Sequence, residues 1–130
     1  MDGLNLLGVI SLPGVARSAP EARAFVRRVV GDGGDLLGDL VLCVDELVAN
    51  ACEHTASGRG GRVSMLVEGT DGALRVTVVD DSGSATKPCV RTEVCGEDGR
   101  GLRLVEALSS GWGVAEAGGG TAVWVEFRRR

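Results

Sequence analysis

The sequence predicts a two-layer α/β sandwich: a mixed, mostly antiparallel sheet with its helices on one face. Three observations lead there. Hydrophobic periodicities run in the order β-α-α-β-β-loop-α-β-β. Short turns at Thr70-Asp71-Gly72 and Gly118-Gly119-Gly120 join neighbouring strands, which makes them antiparallel pairs. One long run carries Leu40, Val41, Val44, Leu47, Val48 and Ala51 at helical spacing. With 130 residues, 44% of them apolar, the chain reads as one domain, 1–130, with a real core.

Residues 4–12 read as a first strand, closed by Pro13-Gly14. Ser18-Ala19-Pro20-Glu21 has the form of a capping box, with Ser18 as N-cap and Glu21 three later. Ala22, Phe25, Val26, Val29 and Val30 then mark a helix ending near Gly31. The loop from Gly31 to Gly34 offers Asp32 or Asp35 as a cap for the second helix, which runs to about His54. A Gly/Ser turn spans 55–61.

Val63, Met65 and Val67 alternate with polar residues, a half-buried strand. The next strand is nearly all apolar, with Leu74, Val76 and Val78 on one face, and is expected at the centre of the sheet. It ends in Asp80-Asp81-Ser82-Gly83. Residues 82–99 hold no sustained period, and a loop that long in a compact domain is usually functional or mobile. A third helix runs from Arg100 to Ser109. Trp112-Gly113-Val114 starts a strand, and Val123, Val125 and Phe127 face inward on the last one.

Composition narrows the function classes. The net charge is −4, with two Phe, two Trp and no Tyr. There is no basic stripe with interleaved aromatics, so direct nucleic-acid binding is not expected. The opening residues lack a basic region and a long apolar run, so neither a signal peptide nor a membrane span is expected. Cys43 and Cys52 lie within the helix pattern as small buried hydrophobes, and Cys89 and Cys95 have no zinc-site spacing. Reduced thiols and a cytoplasmic location follow as the expectation.

The chemistry concentrates in Asp45-Glu46-Leu47-Val48-Ala49-Asn50-Ala51-Cys52-Glu53-His54-Thr55. Glu46 and Asn50 are four apart and share one helix face, about 5.4 Å apart along the axis. His54 continues that face. A carboxylate, a carboxamide and an imidazole beside the core stripe suit a metal-phosphate site; alone, the segment reads equally well as a solvated polar face.

Three further stretches follow in order: Asp80 at a strand end, Gly99-Arg100-Gly101 opening a helix, and Gly118-Gly119-Gly120-Thr121 entering the last strand. This order resembles the Bergerat-fold ATPases shared by histidine kinases, gyrase and MutL. Within them the chain is most similar to the small bacterial anti-sigma-factor serine/threonine kinases. Leu42 to Ala51 with Glu53-His54-Thr55 is close to that group's N-box, and Gly99-Arg100-Gly101-Leu102 with Val105 to its second glycine box. The resemblance covers nearly the whole chain.

It implies ATP and Mg²⁺ as ligands. Asn50 is then the metal ligand, a neutral amide oxygen. Glu46 is the catalytic residue, orienting or deprotonating the attacking hydroxyl. Asp80 at the pocket floor accepts from the adenine amine, where guanine would present a carbonyl. Thr121 supports the base. Gly99 and Gly101 let backbone approach phosphate at a helix N-terminus, with Arg100 and Leu102 in the same segment. His54 either reaches a phosphate or caps its own helix end. Residues 82–99, with Lys87, form the ATP lid.

Two departures stand out. Asp80-Asp81-Ser82-Gly83-Ser84 has serine at both glycine positions of the family's Asp-x-Gly-x-Gly motif, and Glu53 is an acid where many histidine kinases have lysine. ATP binding is therefore better supported than efficient transfer. The implied function is a kinase that phosphorylates an anti-sigma-factor antagonist and so regulates transcription through partner switching. The alternative is a nucleotide-gated binding module with little or no kinase activity. A sigma factor as second partner and a homodimer stay open. No phosphoacceptor helix pair precedes the motifs, which disfavours a histidine-kinase catalytic domain.

Overall fold

The structure, a computed structural model, describes residues 4–31, 36–54, 61–80, 99–117 and 120–128. In chain order the elements are β1 (Asn5–Pro13), α1 (Ala19–Val30), α2 (Leu37–His54), β2 (Arg62–Gly69), β3 (Ala73–Asp80), α3 (Gly99–Leu108), β4 (Gly111–Ala117) and β5 (Gly120–Arg128). The sheet has five strands in the order β1-β2-β3-β5-β4. Every pairing between described neighbours is antiparallel, the limiting case of the expected mostly antiparallel sheet. β3 is central, as its apolar composition requires. β5 returns between β3 and β4, so the last hairpin doubles back into the sheet.

Alternation places side chains layer by layer. Val63, Met65 and Val67 on β2, Leu74, Val76 and Val78 on β3, and Val123, Val125 and Phe127 on β5 are buried on one face. Leu40, Val44, Leu47 and Val48 of α2 meet them from the helix side, with Ala22, Phe25 and Val26 of α1. The α2 stripe read from the sequence is thus the centre of the helical layer, flanked by α1 and α3. At Gly8 a side chain would come within 2.9 Å of Phe25, so glycine is what lets α1 sit this close to β1.

One local expectation needs correction. Ser18 occupies the N-cap position of α1 but makes no capping hydrogen bond. A 3-10 turn over Ala16–Ser18 leaves it helical, at φ −79 and ψ −13, where an N-cap side chain needs extended backbone. Pro20, in the first turn, also has no N–H to be capped. The Ser18 hydroxyl instead donates to the carbonyl oxygen of Pro13 at 2.7 Å, tying the helix start to the end of β1. The hairpin at Thr70-Asp71-Gly72 forms as read, with the Thr70 amide donating to the Ala73 carbonyl at 2.8 Å.

Candidate functional site

The candidate residues lie on the C-terminal half of α2 and at the ends of β3 and β5. Asp80 is the final residue of β3 and continues the inward series Leu74, Val76, Val78. Its carboxyl group is therefore carried into the interlayer space, and the residue is only 3% exposed. Register sets Thr121, also buried, directly opposite on β5. The Thr121 backbone N–H donates to Asp80 Oδ1 at 3.3 Å. That bond orients the Asp80 carboxyl group. The sequence pointed to Thr121 as a support for the base; the bond from its backbone amide to Asp80 was not visible there, because the register joining residues 41 apart has no local signal.

On α2 the i, i+4 spacing brings Glu46 and Asn50 onto one face, as expected. Glu46 is half-buried and Asn50 is 9% exposed. The Asn50 Nδ2 is buried and has no hydrogen-bond partner among the described residues. An unpaired buried amide costs about 1–3 kcal/mol. A half-turn of the carboxamide exchanges its nitrogen and oxygen ends, so the unpartnered direction is also one in which a neutral oxygen ligand can point. A hard cation bridged to phosphate fits this group.

Cys43 lies one turn before Glu46 and is fully buried. Burial first, then the charges of Asp39 and Glu46, push its thiol up to about 11. It is therefore an un-ionised, apolar neighbour of the carboxylate, as its place in the helix stripe suggested. Asp45, next to Glu46, turns the other way and accepts from Arg23 Nη1 of α1 at 2.8 Å. With about a third of each side chain exposed, that pair adds little stability.

Gly99 to Leu102 open α3, so the second glycine stretch does sit at a helix N-terminus. His54 is the last residue of α2. The side chains of His54, Arg100 and Leu102 lie outside the described residues. So do Asp81, Ser82, Ser84, Lys87 and the rest of the expected lid up to residue 98. Among the described residues no cluster of His, Cys, Asp and Glu forms a metal site by itself. Also among them, no helix is long and apolar enough to cross a membrane.

Comparison with known proteins follows the same lines. The model of the histidine kinase-like ATPase domain family matches residues 12–127. None of the curated proteins compared with the chain matches it. Among solved structures, it is similar to a blue-light activated histidine kinase of Erythrobacter litoralis, at 25% identity and a TM-score of 0.59, over 87% of this chain and 41% of that one. It is also similar to the structure of the RsbU and RsbW domains of Rv1364c from Mycobacterium tuberculosis, at 25% identity and a TM-score of 0.61, over 95% of this chain and 33% of that one. The chain thus spans between a third and two fifths of those longer proteins. Domains of this family bind ATP, usually with Mg²⁺. From the fold and the family match together, the chain belongs to the histidine kinase-like ATPase domain family.

Proposed function

We propose that the protein is an ATP-dependent serine/threonine kinase that phosphorylates an anti-sigma-factor antagonist in a cytoplasmic partner-switching pathway. The observation that carries this reading is the buried pairing of Asp80 with the Thr121 amide, taken with the buried Asn50 amide nitrogen that has no partner among the described residues. The likeness to a chain with an RsbW domain supports the choice of branch.

Each residue has a role in the proposal. Asp80 accepts from the adenine amine, and Thr121 holds Asp80 in position. Asn50 holds Mg²⁺, which when bound neutralises charge on the phosphates. Glu46, one turn before Asn50, orients the attacking serine or threonine hydroxyl and takes its proton. The hydroxyl oxygen bonds to the γ-phosphorus as the bond to the β-phosphate oxygen breaks, and ADP leaves. The backbone N–H groups at the start of α3 face the phosphates. A sigma factor released or retained by the switch is the second partner, and a homodimer is the assembly to test by sedimentation.

The serines at positions 82 and 84 favour a second reading, a nucleotide-gated binding module without transfer. Incubation with labelled ATP and Mg²⁺, with and without candidate antagonist proteins, decides between them. Label on the antagonist supports the kinase. Nucleotide binding without label on any antagonist from the same genome selects the module.

A further inference from the structure

The helix-free face of the sheet ends at β1, and β1 is bonded to a neighbour only on its β2 side among the described residues. Natural edge strands are blunted by charge, proline or bulges. β1 reads Asn-Leu-Leu-Gly-Val-Ile-Ser-Leu-Pro and has no charged residue. Its bulge lies between Leu6 and Gly8, its proline is the last residue, and Arg62 of β2 donates to the Ser11 hydroxyl and carbonyl at 3.0 Å, so the open part of the edge centres on Val9. Of the four large apolar side chains left exposed among the described residues, three belong to this strand: Leu6, Leu7 and Val9.

The register defines what lies beside that edge. Val9 pairs with Leu66, and Leu6 with Glu68, so these four form a block on the helix-free face. Glu68 continues into a row with Arg75 and Glu126. Arg75 turns away from Glu68. Its guanidinium stacks over Trp124 at 4.6 Å and approaches Glu126 at 3.8 Å. Among the described residues no hydrogen bond or ion pair reaches the Glu68 carboxylate. The edge therefore presents exposed leucine and valine with an unanswered negative charge behind them.

We infer that β1 receives an extended segment of another protein, one whose side chains on the face shared with Val9 and Leu6 alternate apolar and basic. Strand addition supplies main-chain hydrogen bonds, and alternate side chains supply specificity. An apolar residue of the added strand sits beside Val9. Two residues along, a lysine or arginine sits beside Leu6. One strand step is about 4.8 Å, so its aliphatic stem lies over Leu6 and its charged head reaches Glu68. A second copy of this chain is the poorer occupant. β1 brings no cation to Glu68, and two chains of net charge −4 repel. The inference does not depend on the kinase reading.

The test is fluorescence polarisation of the full chain with three labelled nine-residue peptides at low salt. One has threonine at its even positions and alternates valine and lysine at its odd ones, so that both lie on one face; one replaces those lysines by glutamate, and one replaces alternate threonines of the basic peptide by proline. The first binds saturably. The acidic peptide binds at least about 5-fold more weakly, and the proline peptide, which keeps the charge but loses amide donors, does not saturate. Glu68→Gln weakens the basic peptide by about 2- to 5-fold, the range of an exposed ion pair. Val9→Lys, at a side chain 53% exposed and therefore harmless to the core, abolishes binding. Equal binding of the basic and proline peptides, or affinity unmoved by both substitutions, overturns the inference. So does a parent dimer in sedimentation that Val9→Lys converts to monomer, since the edge would then belong to a second copy.

Discussion

Asp80→Asn is the most informative single change to the proposed nucleotide pocket. It preserves size and leaves one oxygen to accept the Thr121 amide, the bond seen at 3.3 Å. It also replaces a carboxylate acceptor by an NH₂ donor at a position only 3% exposed. The adenine amine would then meet a donor where the parent offers an acceptor. Losing that hydrogen bond and leaving a buried donor unpaired costs about 1–3 kcal/mol. Affinity for ATP should fall roughly 10- to 100-fold by that figure. Discrimination against GTP should shrink as well, because the guanine carbonyl accepts from the new amide. Calorimetry with ATP, ADP and GTP measures both, with circular dichroism confirming the fold. A folded variant that binds ATP as the parent does, or a parent that binds GTP equally well, would refute Asp80 as the base-recognition residue.

Three further outcomes follow from the same structure. Asn50→Ala removes the unpartnered carboxamide, so ATP affinity measured with Mg²⁺ should drop about 10-fold or more while the thermal midpoint holds or rises. Gly113→Ala puts a methyl group 2.8 Å from the Trp124 indole; overpacking of this kind costs about 1–3 kcal/mol, read as a lower urea midpoint. The Cys43 thiol, raised from 9.0 to about 11, binds its proton more tightly folded than unfolded. Its contribution is complete below pH 9 and is lost between pH 9 and 11, so urea midpoints should fall more steeply over that window in the parent than in Cys43→Ala.

The fold was legible where a single period dominates. The α2 stripe and the alternations of β2, β3 and β5 each bury one set of residues, and the structure buries those sets. The motif spacing placed Glu46 and Asn50 on one helix face because i, i+4 geometry is local. What escaped the sequence is non-local or depends on backbone angles. The Asp80–Thr121 bond exists only once β5 inserts between β3 and β4. The stacking of Arg75 on Trp124 requires the same insertion. Ser18 satisfied a capping pattern, yet the 3-10 turn before it set φ and ψ against capping and sent its hydroxyl to Pro13.

The central claim is that Glu46 performs the chemistry and Asn50 and Asp80 the binding. Transfer of labelled phosphate from ATP to an antagonist protein, compared between the parent and Glu46→Gln at matched nucleotide saturation, tests it most directly. Glutamine keeps the length and helix propensity of the half-buried side chain. The account predicts an unchanged ATP affinity and a transfer rate lower by about 10²-fold or more. A Glu46→Gln protein that transfers phosphate as fast as the parent would contradict it.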